Sequence, residues 1–220
     1  MLKQWASSGA KPSAQAQRFT QLCAGAAFGI ALLAAAGWLL DARFLAGQWG
    51  ERISMPPSTA LAFLLLGSGV FSHARWSTHR LSRRFTPAAA GLVGSLALLV
   101  LAQLIFGLDT GLEPALSRTN ELLGQIPLGR MAPLTAWAFL LECGALMLLL
   151  HATRWRFAVS MAGLLALMAT ATNVVFVAGY LYGAPLLYGG ATVPVALPTA
   201  LAFLLLGAGE IRLAMPGVPA

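Results

Sequence analysis

Six long apolar stretches dominate this chain and limit what it can fold into. They cover residues 19–40, 57–73, 86–107, 132–151, 157–181 and 197–213. Each is close to the length of helix, about 20 residues, that crosses the hydrocarbon core of a membrane. Only 10% of the residues are charged and the mean hydropathy is +0.76, whereas roughly a quarter of a soluble domain is charged. The sequence therefore predicts an all-α, polytopic membrane bundle of six transmembrane helices.

A seven-residue stretch occurs three times, near the start of the second, fourth and sixth apolar stretches. Residues 59–65, 135–141 and 199–205 share six of their seven positions, and a proline lies just upstream of each copy. Self-similarity of this kind indicates a repeated structural unit. We therefore predict three tandem helical hairpins, each a helix, a connector and a returning helix that begins at the repeated stretch.

The predicted hairpins make up one transmembrane domain, residues 19–213, between two short tails. The units cover about 19–73, 86–151 and 157–213, and the tails are residues 1–18 and 214–220.

Positive charge is concentrated on one side of the predicted bundle. The other side holds four cations, Arg43, Arg52, Arg118 and Arg130, together with five acidic residues. Because Lys and Arg accumulate in cytoplasmic loops, both chain termini are predicted to be cytoplasmic. The basic charge is thus a topology signal and a contact for anionic membrane lipids, and not a nucleic-acid site. The cations on the first side are Lys3, Lys11, Arg18, Arg75, Arg80, Arg83, Arg84, Arg154, Arg156 and Arg212.

The first two connectors have the pattern of helices that lie along the membrane surface. In the second, apolar residues recur at helical spacing from Leu112 to Ile126, while Glu113, Arg118 and Glu121 take the opposite face. Such a helix rests with its apolar side on the bilayer. The first connector suggests a shorter version, and the Gly- and Pro-rich third connector, residues 183–194, predicts a tight loop.

Glu142 is interpreted as the one intramembrane carboxyl group, about ten residues into the fourth apolar stretch. A charge at that depth costs at least about 2.5 kcal/mol. The residue is therefore expected to be protonated, paired or turned towards a polar interior. It is either a proton-sensitive or ligand-sensing group, or a protonated side chain that hydrogen-bonds a neighbouring helix.

The repeated threonines and phenylalanines have a structural and a functional interpretation. A Thr in the first helical turn can accept from backbone N–H groups that have no intrahelical partner, and a Phe in every unit can be a packing residue. The alternative is that three helix N-termini converge and hold a small ligand. The residues are Thr59, Thr135, Thr199, Phe63, Phe139 and Phe203.

Other polar and small residues within the stretches carry weaker signals. Gln103 and Asn173 are expected either to form interhelical hydrogen bonds or to line a shallow site. Cys23 and Cys143 lie in apolar segments and are predicted to be buried free thiols. The GxxxG motif of Gly25 and Gly29 predicts close helix packing inside the bundle.

No motif in the sequence indicates catalysis. His73 and His79 belong to the basic loop and His151 ends the fourth stretch, so the histidines give no metal-site pattern. A Gly-rich phosphate loop, a nucleophile elbow, CxxC and HExxH are all missing. We predict no enzyme activity, no catalytic residue, no metal and no cofactor.

Two short segments, together with the repeated returning helix, carry a resemblance to a known class of membrane region. Residues 129–136 read GRMAPLTA and residues 181–189 read LYGAPLLYG. The chain resembles, over roughly residues 19–213, the multi-span N-terminal sensor region of bacterial signalling proteins with PAS, histidine-kinase or diguanylate-cyclase domains. Those proteins continue into an output domain, and this sequence ends at Ala220. It is then either a free-standing module or the membrane part of a longer protein.

The resemblance implies a non-catalytic sensory input module of the bacterial inner membrane. A protein partner is expected at the cytoplasmic face, where Arg75, Arg80, Arg83 and Arg84 are the natural contacts. One alternative is an accessory subunit of a larger energy-transducing or photosynthetic membrane complex. A second is a small proton-coupled transporter, for which Glu142 is the main argument.

Overall fold

The computed structural model describes residues 13–50, 53–107, 110–117, 122–123, 126–127, 129–151, 157–183, 186 and 193–215. Six helices in these ranges are long and apolar enough to cross a membrane. This confirms the predicted helical, multi-pass membrane protein. The long helices are α1 (Ala14–Leu39), α2 (Pro57–Trp76), α3 (Arg80–Phe106), α5 (Pro133–Leu150), α6 (Ala158–Leu181) and α7 (Leu197–Ala214), and α4 (Leu112–Ser117) is short.

The helices form a closed arrangement in which every long helix has two main neighbours. α1 packs on α2 and α7, α3 packs on α2 and α5, and α6 packs on α5 and α7. The three helices that carry the repeated stretch, α2, α5 and α7, also contact one another. These three are therefore the inner helices, and α1, α3 and α6 surround them.

Neighbouring helices run in opposite directions, so the bundle has two distinct ends. Thr20 Oγ1, near the start of α1, donates to the Gly209 carbonyl oxygen near the end of α7 over 2.8 Å. Trp38, at the other end of α1, donates through Nε1 to the carbonyl oxygen of Met55, just before α2, over 2.7 Å. We call the end with Ala14, Trp76 and Ala214 the terminal end. The opposite end, where Leu40, Met55, Gly107 and Met131 lie, is the connector end.

The basic loop between α2 and α3 is shorter than predicted. α2 continues to Trp76 and α3 begins at Arg80, so Arg75 and the other arginines of this region lie on helices. The apolar stretch that predicted this helix begins at residue 86, six residues after the observed start. Pro87 lies inside the helix, and Ser82 fixes the turn by donating to the Ser72 carbonyl oxygen over 3.0 Å.

The predicted surface helices of the connectors are largely wrong. The first connector forms one 3₁₀ turn, Arg43–Ala46, and Ile53 is buried beyond it. In the second, α4 ends at Ser117 and the strands β1 (Leu122–Leu123) and β2 (Ile126–Pro127) form a two-residue antiparallel ladder. Arg118 and Glu121, and most of the third connector, lie outside the described residues.

Alanines, and not the GxxxG motif, bring α1 close to its neighbours. Ala24, Ala27, Ala31 and Ala34 are fully buried. A side chain added at Gly25 or Gly29 would meet nothing within 4 Å. The predicted packing of this motif inside the bundle is therefore wrong. The predicted buried free thiols, Cys23 and Cys143, are confirmed.

Candidate functional site

The three repeated phenylalanines meet at the centre of the bundle. The ring centroids of Phe63, Phe139 and Phe203 are 4.6–4.7 Å apart in all three pairs, with tilted or edge-on planes. All three side chains are fully buried. These distances and angles lie within the range that aromatic pairs prefer. The contacts favour the packing interpretation of the repeated Phe over the ligand-binding one.

The repeated threonines are buried one turn closer to the connector end, but they do not cap their helices. Thr59 and Thr199 are at most 1% exposed and Thr135 is 3% exposed. No side chain caps α2, α5 or α7, and the hydroxyl oxygens of Thr59 and Thr199 have no partner among the described residues. The capping prediction is therefore wrong. Each helix instead has a proline in its first two positions, and proline lacks one of the N–H groups that would need a partner.

Glu142 lies one turn beyond the phenylalanines, towards the terminal end of α5. It is fully buried, and its side chain points at α7. A Cβ atom added to Gly207 of α7 would come within 2.9 Å of Glu142 Oε1 and would overlap Thr170 Oγ1 of α6. The space for this carboxyl group therefore exists because position 207 has no side chain.

A second carboxyl group, Glu210, is buried beside the first. It lies on α7 one turn beyond Gly207 and is fully buried. The interpretation of Glu142 as the one intramembrane carboxyl group is therefore wrong. The sequence signal for Glu210 was its position inside the sixth apolar stretch. In the repeat alignment Glu210 takes the place of Val70 and Leu146, and a charged residue among such apolar equivalents stands out.

Glu142 and Glu210 are close enough for their carboxyl groups to interact electrostatically. The Cys143 thiol is close enough to interact with both. Their four oxygen atoms have no hydrogen-bond partner in the described part of the chain. Within those residues, no Lys, Arg or His forms an ion pair with either group. Among the described residues, the pair therefore has no counter-charge.

The electrostatics of the pair restrict its charge. Each isolated charge in the membrane interior costs at least about 2.5 kcal/mol, and two like charges repel more strongly in a low-dielectric interior than in water. Two negative charges side by side are therefore strongly disfavoured, so the pair holds at least one proton. Thr170 of α6 lies at the same gap beside Gly207 as Glu142, and its hydroxyl donates to Ala166 O over 2.7 Å. The arrangement can bind and release a proton.

The remaining predicted polar residues within the helices are not part of the pair. Asn173 is 2% exposed and donates through Nδ2 to Ala169 O of its own helix over 2.9 Å. Gln103 lies near the end of α3 and donates to Thr110 Oγ1. Within the described part of the chain, neither residue forms the expected interhelical hydrogen bond.

Glu113 of α4 is also buried, with 6% exposure, although its predicted place was the polar face of a surface helix. Its Oε1 accepts from the backbone N–H of Met131 over 2.7 Å and from Ser58 Oγ over 3.2 Å. Met131 lies just before α5 and Ser58 lies in the first turn of α2. Glu113 therefore joins the starts of two inner helices.

The predicted partner contacts, Arg75, Arg80, Arg83 and Arg84, are exposed at the terminal end. None of them forms an ion pair with another described residue. The guanidinium carbon of Arg75 lies 6.0 Å from the Trp76 ring centroid. These residues form a compact basic surface where α2 ends and α3 begins.

Comparisons with known proteins add no relationship. The chain matches no protein-family model, and no curated protein and no solved structure matches it. Among the described residues, no group of three or more His, Cys, Asp and Glu side chains is arranged to hold a metal ion.

Proposed function

We propose that this chain is a non-catalytic sensory input module of a bacterial inner membrane. In this proposal it is built from three tandem hairpins, with both termini in the cytoplasm. The observation that carries the proposal is the Glu142–Glu210 pair, fully buried and without a partner from elsewhere among the described residues. An ionisable group inside a membrane bundle is expensive and is by default a functional candidate. Proteins violate the rules of a well-satisfied core mainly at functional sites.

The position of the pair supports a role as a proton-dependent switch between helices. Glu142 belongs to α5 and Glu210 to α7, while α6 packs against both. Loss of the shared proton leaves two negative charges that repel, so it favours separation of α5 from α7. Glu210 lies one turn from the end of α7 at Ala214. A change there is transmitted directly to the terminal end and to the partner expected at it.

The packing of the inner helices favours a sensor over a proton-coupled transporter. A transporter needs access to its site from both sides of the membrane in turn. The close contacts among Phe63, Phe139 and Phe203 fill the centre of the bundle between the carboxyl pair and the connector end. The accessory-subunit alternative differs from the sensor in the protein partners that it predicts.

The proposal is tested first by the partners of the chain. The chain is purified in mild detergent from its native membranes, and the proteins that accompany it are identified by mass spectrometry. A kinase or cyclase signalling protein, or the same domains on a longer form of the chain, is the expected result. Recovery in fixed stoichiometry with a redox or photosynthetic complex would overturn the sensor and support the accessory subunit.

The switch is tested by infrared difference spectroscopy across a pH titration. The wild-type chain is expected to show a protonated carboxyl C=O band that disappears as pH rises, because the pair then loses its proton. Glu142→Gln and Glu210→Gln should each change or remove that band, whereas Asp41→Asn, at an exposed position of the connector end, should leave it in place. A band unaffected by both glutamine variants would contradict the proposed switch.

A further inference from the structure

An apolar groove follows the seam between α1 and α2 on the outside of the bundle. It has a volume of about 550 Å³, and Gly25, Phe28, Gly67, Phe71 and Phe85 are among its lining residues. Gly25 leaves it open, since a side chain there would meet nothing within 4 Å. We call this cavity the seam groove.

A polar pocket lies on the same seam at the terminal end. Its volume is about 420 Å³, and it is lined by Ala14, Gln17, Arg18 and Gln21 of α1 and by Arg75 of α2. Gln21 donates through Nε2 to the Ala74 carbonyl oxygen over 3.4 Å and so ties the two helices together. Arg18 and Arg75 are exposed and form no ion pair with any described residue.

The pocket and the groove follow one another along the two helices. On α1, the pocket residues Arg18 and Gln21 and the groove residues Gly25 and Phe28 have the three- and four-residue spacing of one helix face. On α2, the groove residue Phe71 and the pocket residue Arg75 are four positions apart. Together the two cavities make one amphipathic site, with its cationic part at the helix ends and its apolar part deeper in the membrane.

We propose that this site binds one anionic phospholipid, with its phosphate at Arg18 and Arg75 and an acyl chain in the seam groove. A guanidinium group offers donors in the geometry that a phosphate accepts. Basic residues next to membrane helices attract anionic headgroups. Arg80, Arg83 and Arg84, exposed at the start of α3, add positive charge at the same end. Free phosphate does not account for the apolar groove, and a zwitterionic lipid does not account for the cations.

The site is tested by native mass spectrometry of the full chain released from detergent. Delipidated protein is titrated with phosphatidylglycerol or with phosphatidylcholine of the same acyl chains. One phosphatidylglycerol per chain should be retained, in preference to phosphatidylcholine. The double variant Arg18→Gln/Arg75→Gln should bind it at least about tenfold more weakly, because two charged contacts are lost. Arg212→Gln, on α7 and outside both cavities, is the charge-matched control and should bind normally.

A second pair of variants tests the groove itself. A Cβ atom at Gly25 meets no atom within 4 Å, so Gly25→Leu places its side chain in the groove and should also weaken binding at least about tenfold. Gly91→Leu is the matched control, since Gly91 of α3 equally meets nothing within 4 Å and does not line the groove. Size-exclusion profiles establish that all variants are folded.

Four results would overturn the assignment. Equal retention of the two lipids would make the groove an ordinary lipid contact, and retention of no lipid by the wild type would leave the site without this ligand. Normal binding by Gly25→Leu, with loss only in the arginine variant, would mean binding by surface charge alone. Recovery of the wild type as a dimer that Gly25→Leu dissociates would assign the groove to a second copy of the chain.

Discussion

Two regions of this bundle bury carboxyl groups, and they treat them in opposite ways. At the connector end, Glu113 accepts hydrogen bonds from Met131 N–H and Ser58 Oγ. Nearer the terminal end, the carboxyl oxygens of Glu142 and Glu210 have no hydrogen-bond partner within the described residues. Buried polar groups normally have partners, and Glu113 follows that rule. The contrast teaches that burial alone does not define a functional acid, because a satisfied carboxyl group stabilises the fold whereas an unsatisfied pair weakens it.

The largest expected effect tests the structural side of this comparison. Glu113→Leu leaves the donors of Met131 and Ser58 without their acceptor, and each buried donor without a partner costs about 1–3 kcal/mol. The free energy of unfolding, measured by SDS titration in mixed micelles, should fall by about 2–6 kcal/mol. Glu113→Gln keeps one acceptor oxygen and should lose less. A leucine variant as stable as the wild type would remove the contrast.

Replacement of the Glu142–Glu210 pair should change the unfolding free energy in the opposite direction. The double variant Glu142→Leu/Glu210→Leu gives each position the leucine that another copy of the repeat carries there. Leu206 is equivalent to Glu142, and Leu146 is equivalent to Glu210. The unfolding free energy should be unchanged or raised by up to about 4 kcal/mol, as when buried ionic groups are replaced by apolar ones. The pH-dependent carboxyl band should disappear. A loss of stability greater than about 1 kcal/mol would mean that the pair holds the bundle together.

A smaller effect is expected one helical turn from the pair, at the cluster of repeated phenylalanines. Phe139→Ala removes two of the three ring contacts, which are worth about 0.5–1.5 kcal/mol each. The unfolding free energy should fall by about 1–3 kcal/mol, while the pH-dependent carboxyl band persists. Phe157, which is 80% exposed before α6, provides the control, and Phe157→Ala should change stability little. Equal effects of the two substitutions would contradict the central role of the ring cluster.

The smallest effect applies the same comparison to hydroxyl groups. Thr20 Oγ1 donates across helices to Gly209 O, whereas Thr199 Oγ1 has no partner among the described residues. Thr20→Val should cost about 0.6 kcal/mol, the typical value of an interhelical hydrogen bond in a membrane. Thr199→Val keeps the shape and loses no bond, so its effect should be near zero or slightly stabilising. A larger loss for Thr199→Val would indicate that its hydroxyl binds a group from outside the described residues.

The lengths of the apolar stretches predicted the six long helices, because the formation of such a helix depends mainly on residues within the stretch itself. Predicted and observed ends agree within three residues, except that α1 begins at Ala14 instead of residue 19 and α3 begins at Arg80 instead of residue 86. The connectors depended on partners elsewhere in the chain. An amphipathic pattern cannot distinguish a solvated Glu113 from one that accepts from Ser58 and Met131, 55 positions before and 18 after it.

The sequence predicted one of the two carboxyl groups of the candidate site, Glu142, and missed the other, Glu210. Glu142 is conspicuous within its helix, and Glu210 was visible in the sixth stretch but close to its end. Their pairing depends on the contact of α5 with α7, and on Gly207, whose missing side chain makes room for Glu142. Neither is a property of one helix, so sequence periodicity could not supply them.

The ring cluster of Phe63, Phe139 and Phe203 gives the carboxyl pair a sidedness. Its centroids are 4.6–4.7 Å apart, which leaves no room for a water molecule between the rings. The cluster lies between the pair and the connector end. Within the described residues, the rings therefore close the direct route for water along the centre of the bundle from the connector end. For the proposed switch, this favours proton exchange with the terminal end, so the protonation of the pair would follow the pH on one side of the bundle.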